Sequence, residues 1–181
     1  MSTVPARGRP VTARYRPIVP IVLEEIRFNR HECAAVVAAM RELDQVGDGE
    51  GWINFSPVLT EDEELRVPTR SGLGAWFSGR GPAMAMGTWT PRDAGPKPHN
   101  AQIGLAHGTG PNALSRLSEL GIGLPSNWLK RQDHAKHGVV AELPDGVDGE
   151  QVIEWLITAA TMLRTVVEPG NQWVAIVHRS V

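Results

Sequence analysis

The sequence predicts one α+β domain, a mixed β-sheet with about three helices, filling residues 18–181 behind a flexible N-terminal arm at 1–17. Three observations carry this reading. Apolar residues recur at helical spacing in two well-bounded stretches, 33–43 and 152–166. Short β-prone segments alternate with turn clusters between 51 and 107. From 101 to 179 the order strand–helix–strand–helix–strand suggests crossover units on one sheet. At 181 residues, 41% apolar and 21% charged, the chain is long enough for one sizeable core.

Residues 1–17 hold three prolines, four arginines and little to bury, which gives the flexible arm. Ile18 to Phe28 then reads as an edge strand entered through prolines. Asn29 and Glu32 have the three-residue spacing of a capping box, so a helix is expected to start there. Cys33, Val36, Val37, Met40 and Leu43 make its apolar face, and Gly47 ends it.

In the middle region, Trp52–Phe55, Leu73–Phe77, Ala83–Thr90 and Gln102–His107 read as strands. The acidic run Glu61-Asp62-Glu63-Glu64 is expected to be a solvated loop, lacking the alternating pattern of a calcium site. Pro91 to Pro98 must be a surface connection. A short helix follows with Leu114, Leu117 and Leu120 on one face and Gly121 after it. Val139–Leu143 is the next strand. Asp148 opens a second long helix that buries Val152, Trp155, Leu156, Ala159, Leu163 and Val166, and Trp173–His178 closes as a strand.

Charge and composition exclude several classes. The formal net charge is −2, which gives no reason to expect a protein that coats nucleic acid. One cysteine, Cys33, rules out an internal disulfide and a cysteine-based zinc site, and its place on an apolar face marks it as buried and inert. No 18-residue apolar run exists, and Pro17 and Pro20 interrupt the one candidate for a leader core; the cytosol is the default location and no membrane contact is expected. No Gly-x-Ser-x-Gly occurs, and Ser126 has no identifiable base.

The densest chemistry lies between Pro125 and Gly138, where Trp128, Lys130, Arg131, Asp133, His134, Lys136 and His137 crowd together. Four of the six histidines fall between 92 and 137, where six basic residues oppose three acidic ones, so an anionic ligand or surface is the expected complement. In an extended chain Asp133 and His134 point to opposite faces and cannot orient each other. His134 and His137, three apart, would lie side by side in a helical turn, yet no third ligand stands in register, and no metal or cofactor is expected. Trp128, among polar neighbours, is the open member of six tryptophans, while Trp155 and Trp173 belong to the core.

Gly108, Thr109 and Gly110 form a strand-to-helix turn that would let an anion approach free amides; Thr109 as a cap with Pro111 in the first turn explains the same residues structurally. Arg80, in the polar turn Ser78–Pro82, could clamp an anion, but an exposed turn arginine accounts for it equally. Arg7, Arg9, Arg14 and Arg16 could contact phosphates, a partner, or the chain's own acidic surface. Four arginines with Tyr15 as the single aromatic are few for nucleic acid.

The stretch from Trp89-Thr90-Pro91 into the closing helix resembles a set of uncharacterised actinobacterial proteins. Gly104-Leu105-x-His107, Pro125-x-x-Trp128, Asp133-His134 and Trp155-Leu156 carry the resemblance, which spans roughly half the chain and implies no activity.

The resulting expectation is a non-enzymatic cytosolic protein that binds a protein partner or an anionic small molecule. The contact surface would be a cationic face of His107, Lys130, Arg131, His134 and Lys136 with Trp128 as an apolar contact. The alternative is an enzyme on a phosphorylated or carboxylated small molecule. There His107 or His134 would be the acid/base, the 108–111 turn would hold the anion and Arg131 would clamp it.

Overall fold

The computed structural model describes residues 21–66, 82, 84–165 and 170–180. The arm, the Leu73–Phe77 segment, Arg80 and Val166 lie outside them.

Among the described residues the elements run β1 (Ile21–Asn29), α1 (Ala34–Val46), β2 (Trp52–Pro57), α2 (Glu61–Arg66), β3 (Met86–Thr90), β4 (Gln102–Ala106), α3 (Ala113–Glu119), β5 (Leu129–His134), β6 (Gly138–Glu142), α4 (Gly149–Met162) and β7 (Gln172–Ser180). The strands form one sheet in the order β1-β7-β2-β3-β4-β6-β5.

The α+β class stands, with a sheet that is antiparallel throughout rather than mixed. The reason is instructive. The connections β1-α1-β2 and β4-α3-β5 do join strands of the same direction, as crossovers should. Each skips one position, and the vacant slot takes an antiparallel strand: β7 between β1 and β2, β6 between β4 and β5.

Alternation along the strands sends one face to the helices. Ile53 and Phe55 of β2, Trp89 of β3, Ile103 and Leu105 of β4, and Trp173, Ala175 and Val177 of β7 are all buried. Against them pack Val36, Val37, Met40 and Leu43 of α1 and Val152, Trp155, Leu156 and Ala159 of α4, so both apolar faces read from the sequence are in the core. Gly47 ends α1 in the left-handed conformation at φ 68°. Asp148 caps α4, its carboxylate accepting from the Glu150 amide at 3.2 Å.

Two helix boundaries differ from expectation. Asn29 ends β1 instead of capping α1: its Oδ1 accepts from the His31 amide and its Nδ2 donates to Glu32, closing a turn, while Cys33 occupies the N-cap with no side-chain cap. The acidic run is helical, not a loop. Thr60 and Glu63 form a capping box, in which the Thr60 amide donates to Glu63 Oε2 at 2.8 Å and the Glu63 amide donates to Thr60 Oγ1 at 3.4 Å.

β5 is also new, since no strand is expected at Leu129–His134 from the sequence. It is an edge strand with exposed side chains, so it carries no apolar alternation to announce it. A bulge at Arg131 interrupts its register with β6.

The turn into β6 needs Gly138. Its φ is +76°, and a β-carbon there would be driven into the Leu105 carbonyl oxygen of β4. Gly138→Ala should therefore destabilise the protein by roughly 3 kcal/mol, combining left-handed strain with the clash. Urea unfolding of the variant checks this.

Candidate functional site

His107 follows Ile103 and Leu105 at period two, so it emerges from β4 on the covered face, where it is completely buried. Its Nδ1 lies 3.1 Å from Thr109 Oγ1. That hydroxyl also accepts from Arg116 at 3.0 Å, so it bridges the guanidinium and the imidazole. Nε2 is buried with no partner among the described residues. Burial pushes the imidazole below its ordinary 6.5; the nearby Asp133 carboxylate opposes this and the Arg116 guanidinium adds to it.

Arg116 gathers the 108–111 turn around itself. It donates to the carbonyls of Thr109 at 2.7 Å, Gly110 at 3.2 Å and Pro111 at 2.9 Å. The turn is thus organised by an internal cation through its carbonyl oxygens. Thr109 is not the cap of α3 that the sequence suggested. Asn112 holds that position in a left-handed conformation at φ 61°, without a side-chain cap. Asp133 caps the helix from β5 instead: its two carboxylate oxygens accept from the Ala113 and Leu114 amides, each at 3.1 Å.

His134 points away from Asp133, as expected of neighbours on a strand. Its Nδ1 accepts the Lys136 amide at 3.1 Å and the His137 amide at 3.3 Å, so the imidazole closes the hairpin turn. The His134 and His137 rings do sit side by side, with centroids 4.8 Å apart. Trp128 is buried and meets Trp155 edge-on at 5.6 Å, so the residue read as open is part of the core. Trp155 in turn donates its indole N–H to the Gly123 carbonyl at 3.1 Å.

The candidates therefore separate into two groups. His107, Gly108, Thr109, Gly110 and Asp133 build an internal junction with Arg116, a residue the sequence reading passed over. Lys130, Arg131, His134, Lys136 and His137 stand on the exposed β5–β6 hairpin. There Arg131 is tied to Glu142, with its Nε donating at 2.8 Å. A cleft of about 480 Å3 lies apart from both groups, between α1 and the 144–149 loop, with Trp89 at its base.

No family model matches the chain. Nor does any curated protein or solved structure match it.

Two outcomes follow from the junction. Asp133→Ala should cost about 2 kcal/mol, because it strips a charge-assisted cap from α3 and leaves two amides open. Thermal unfolding reads that loss. A neutral buried imidazole below its ordinary range makes the folded state take up its proton later than the unfolded chain does. Stability is thus fully present above 6.5 and falls as pH drops below it. His107→Gln should flatten part of that fall when melting is compared between about pH 7.5 and about pH 5.5.

Proposed function

We propose that the chain is a non-catalytic cytosolic binding protein whose contact surface is the β5–β6 hairpin and whose partner is an acidic segment of another protein. One observation carries this reading. Lys130 and Lys136 are exposed on an edge hairpin, and neither ammonium has a carboxylate partner among the described residues. Arg131 and His137 add donors beside them.

The spacing of these groups selects the kind of partner. The strand from Lys130 to His134 spans about 13 Å, and Lys136 lies in the turn beyond, so the two lysines stem from opposite ends of β5. An extended acidic peptide can follow the strand and meet both lysines along its length. The bulge at Arg131 and the flanking lysines discourage a further strand from pairing on this edge, so recognition rests on side-chain charge. The enzyme alternative would require an accessible imidazole beside an anion-holding turn. Complete burial of His107 and the engagement of His134 Nδ1 by two amides weigh against it.

The test is fluorescence anisotropy at low salt with a labelled peptide of alternating glutamate and valine. The expected result is saturable binding that weakens about tenfold in the Lys130→Glu/Lys136→Glu variant and weakens with added salt. No binding, or binding indifferent to that double substitution, would overturn the proposal. A single-stranded oligonucleotide bound more tightly than the peptide would instead make nucleic acid the partner.

A further inference from the structure

We infer that the cleft between α1 and the 144–149 loop binds a small zwitterion with an apolar side chain, such as an amino acid or dipeptide. The site shares no residue with the hairpin and does not rest on the function proposed for it.

Two charges of opposite sign line the cleft without an internal partner. Arg41 projects from α1 and Asp145 from the loop that leads into α4. Neither is hydrogen-bonded or ion-paired among the described residues, and they do not reach each other. The other charges on the lining are already engaged. The Arg92 amide donates to Asp44 Oδ1 at 3.1 Å and the Arg92 Nε lies 3.5 Å from Asp44 Oδ2, so these two neutralise one another. Asp148 is the cap of α4.

The same cleft also has an apolar lining. Val37, Met40 and Trp89 line the cleft from within the core. The Trp89 indole N–H has no hydrogen-bond partner among the described residues. A volume of about 480 Å3 lies within the range typical of small-molecule sites. A ligand that presents a carboxylate to Arg41, an ammonium to Asp145 and a hydrophobic group to Trp89 satisfies all three surfaces together. A simple anion would leave Asp145 repelling it, and a simple cation would meet Arg41.

The experiment is a nitrogen–proton correlation titration of the full chain with L-phenylalanine, read at the Trp89 indole resonance, which Trp89→Phe assigns. Phenylpropionate, phenethylamine and N-acetylphenylalanine amide serve as the anion-only, cation-only and uncharged controls. The expected result is a saturable shift with phenylalanine and at least about tenfold weaker binding of each control. Arg41→Ala and Asp145→Asn, both exposed and checked for unchanged melting, should each weaken phenylalanine about tenfold. No shift with phenylalanine overturns the inference. So does an equal response to the uncharged control, or binding that both substitutions leave intact.

Discussion

The last strand of the chain lies between the first two, and the edge strand β1 joins the sheet only through it. β7 pairs along nine positions with β1, from Ile21 with Ser180 to Asn29 with Gln172, and along six with β2. β1 and β2 share no ladder of their own. Arg179 extends the tie beyond the backbone: its guanidinium reaches Glu24 on β1 and Glu42 on α1, so one side chain fastens the edge strand and the helix above it. The segment from β6 to β7 must therefore shift across four strand positions, about 19 Å, while returning along the strand direction. α4 provides most of that return, about 21 Å of helix laid over the sheet. Contacts of such long sequence separation carry a loop-closure cost that slows folding.

The C-terminal half has its own tie, built from a carboxylate. Asp133 joins the edge strand β5 to the start of α3, twenty positions earlier in the chain at Ala113. Arg116 on α3 then holds the turn that leads from β4, and Thr109 passes that contact to His107. Asp133, Arg116, Thr109 and His107 thus lock the end of β4, β5 and α3 at one point. Its cost is visible in buried polar atoms without partners among the described residues, His107 Nε2 and Arg116 Nε, with Trp128 Nε1 a third nearby in sequence to β5. What the junction provides is a fixed base for the hairpin, so that Lys130 and Lys136 are displayed on a rigid support.

Elements with strong periodic faces were legible in the sequence, and the reason is local. α1 and α4 each bury a stripe wide enough to be seen at 3.6-residue spacing, and Gly47 and Asp148 mark their ends by their own backbone and side-chain chemistry. β5 was not legible because an edge strand facing solvent has no reason to alternate. The α2 helix hid behind its charge, although Thr60 with Glu63 was a readable cap. For the candidate site, the period-two step from Ile103 and Leu105 to His107 already implied an inward ring. Nothing local could assign Asp133 to the amides of Ala113 and Leu114, or show that Trp128 meets Trp155, because both contacts cross elements whose arrangement the split crossovers decide. The same split explains the sheet: a strand–helix–strand order is compatible with adjacent parallel strands or with a gap filled from elsewhere in the chain.

β6 connects the two regions for which binding is proposed. It leaves the hairpin turn at Gly138 and ends at Glu142, just before the loop that carries Asp145. A strand in this position transmits a signal only if it has a second arrangement to adopt. β6 has none close at hand. It is paired on both sides, with Val139 and Ala141 buried beneath the helices, and a one-residue slip would turn both toward the open face. Gly138 fixes its start against β4, and Arg131 fixes its end through Glu142. If a zwitterion binds in the cleft and an acidic segment on the hairpin, as proposed, both would bear on this one doubly paired strand, and occupancy of one is expected to leave the affinity of the other unchanged.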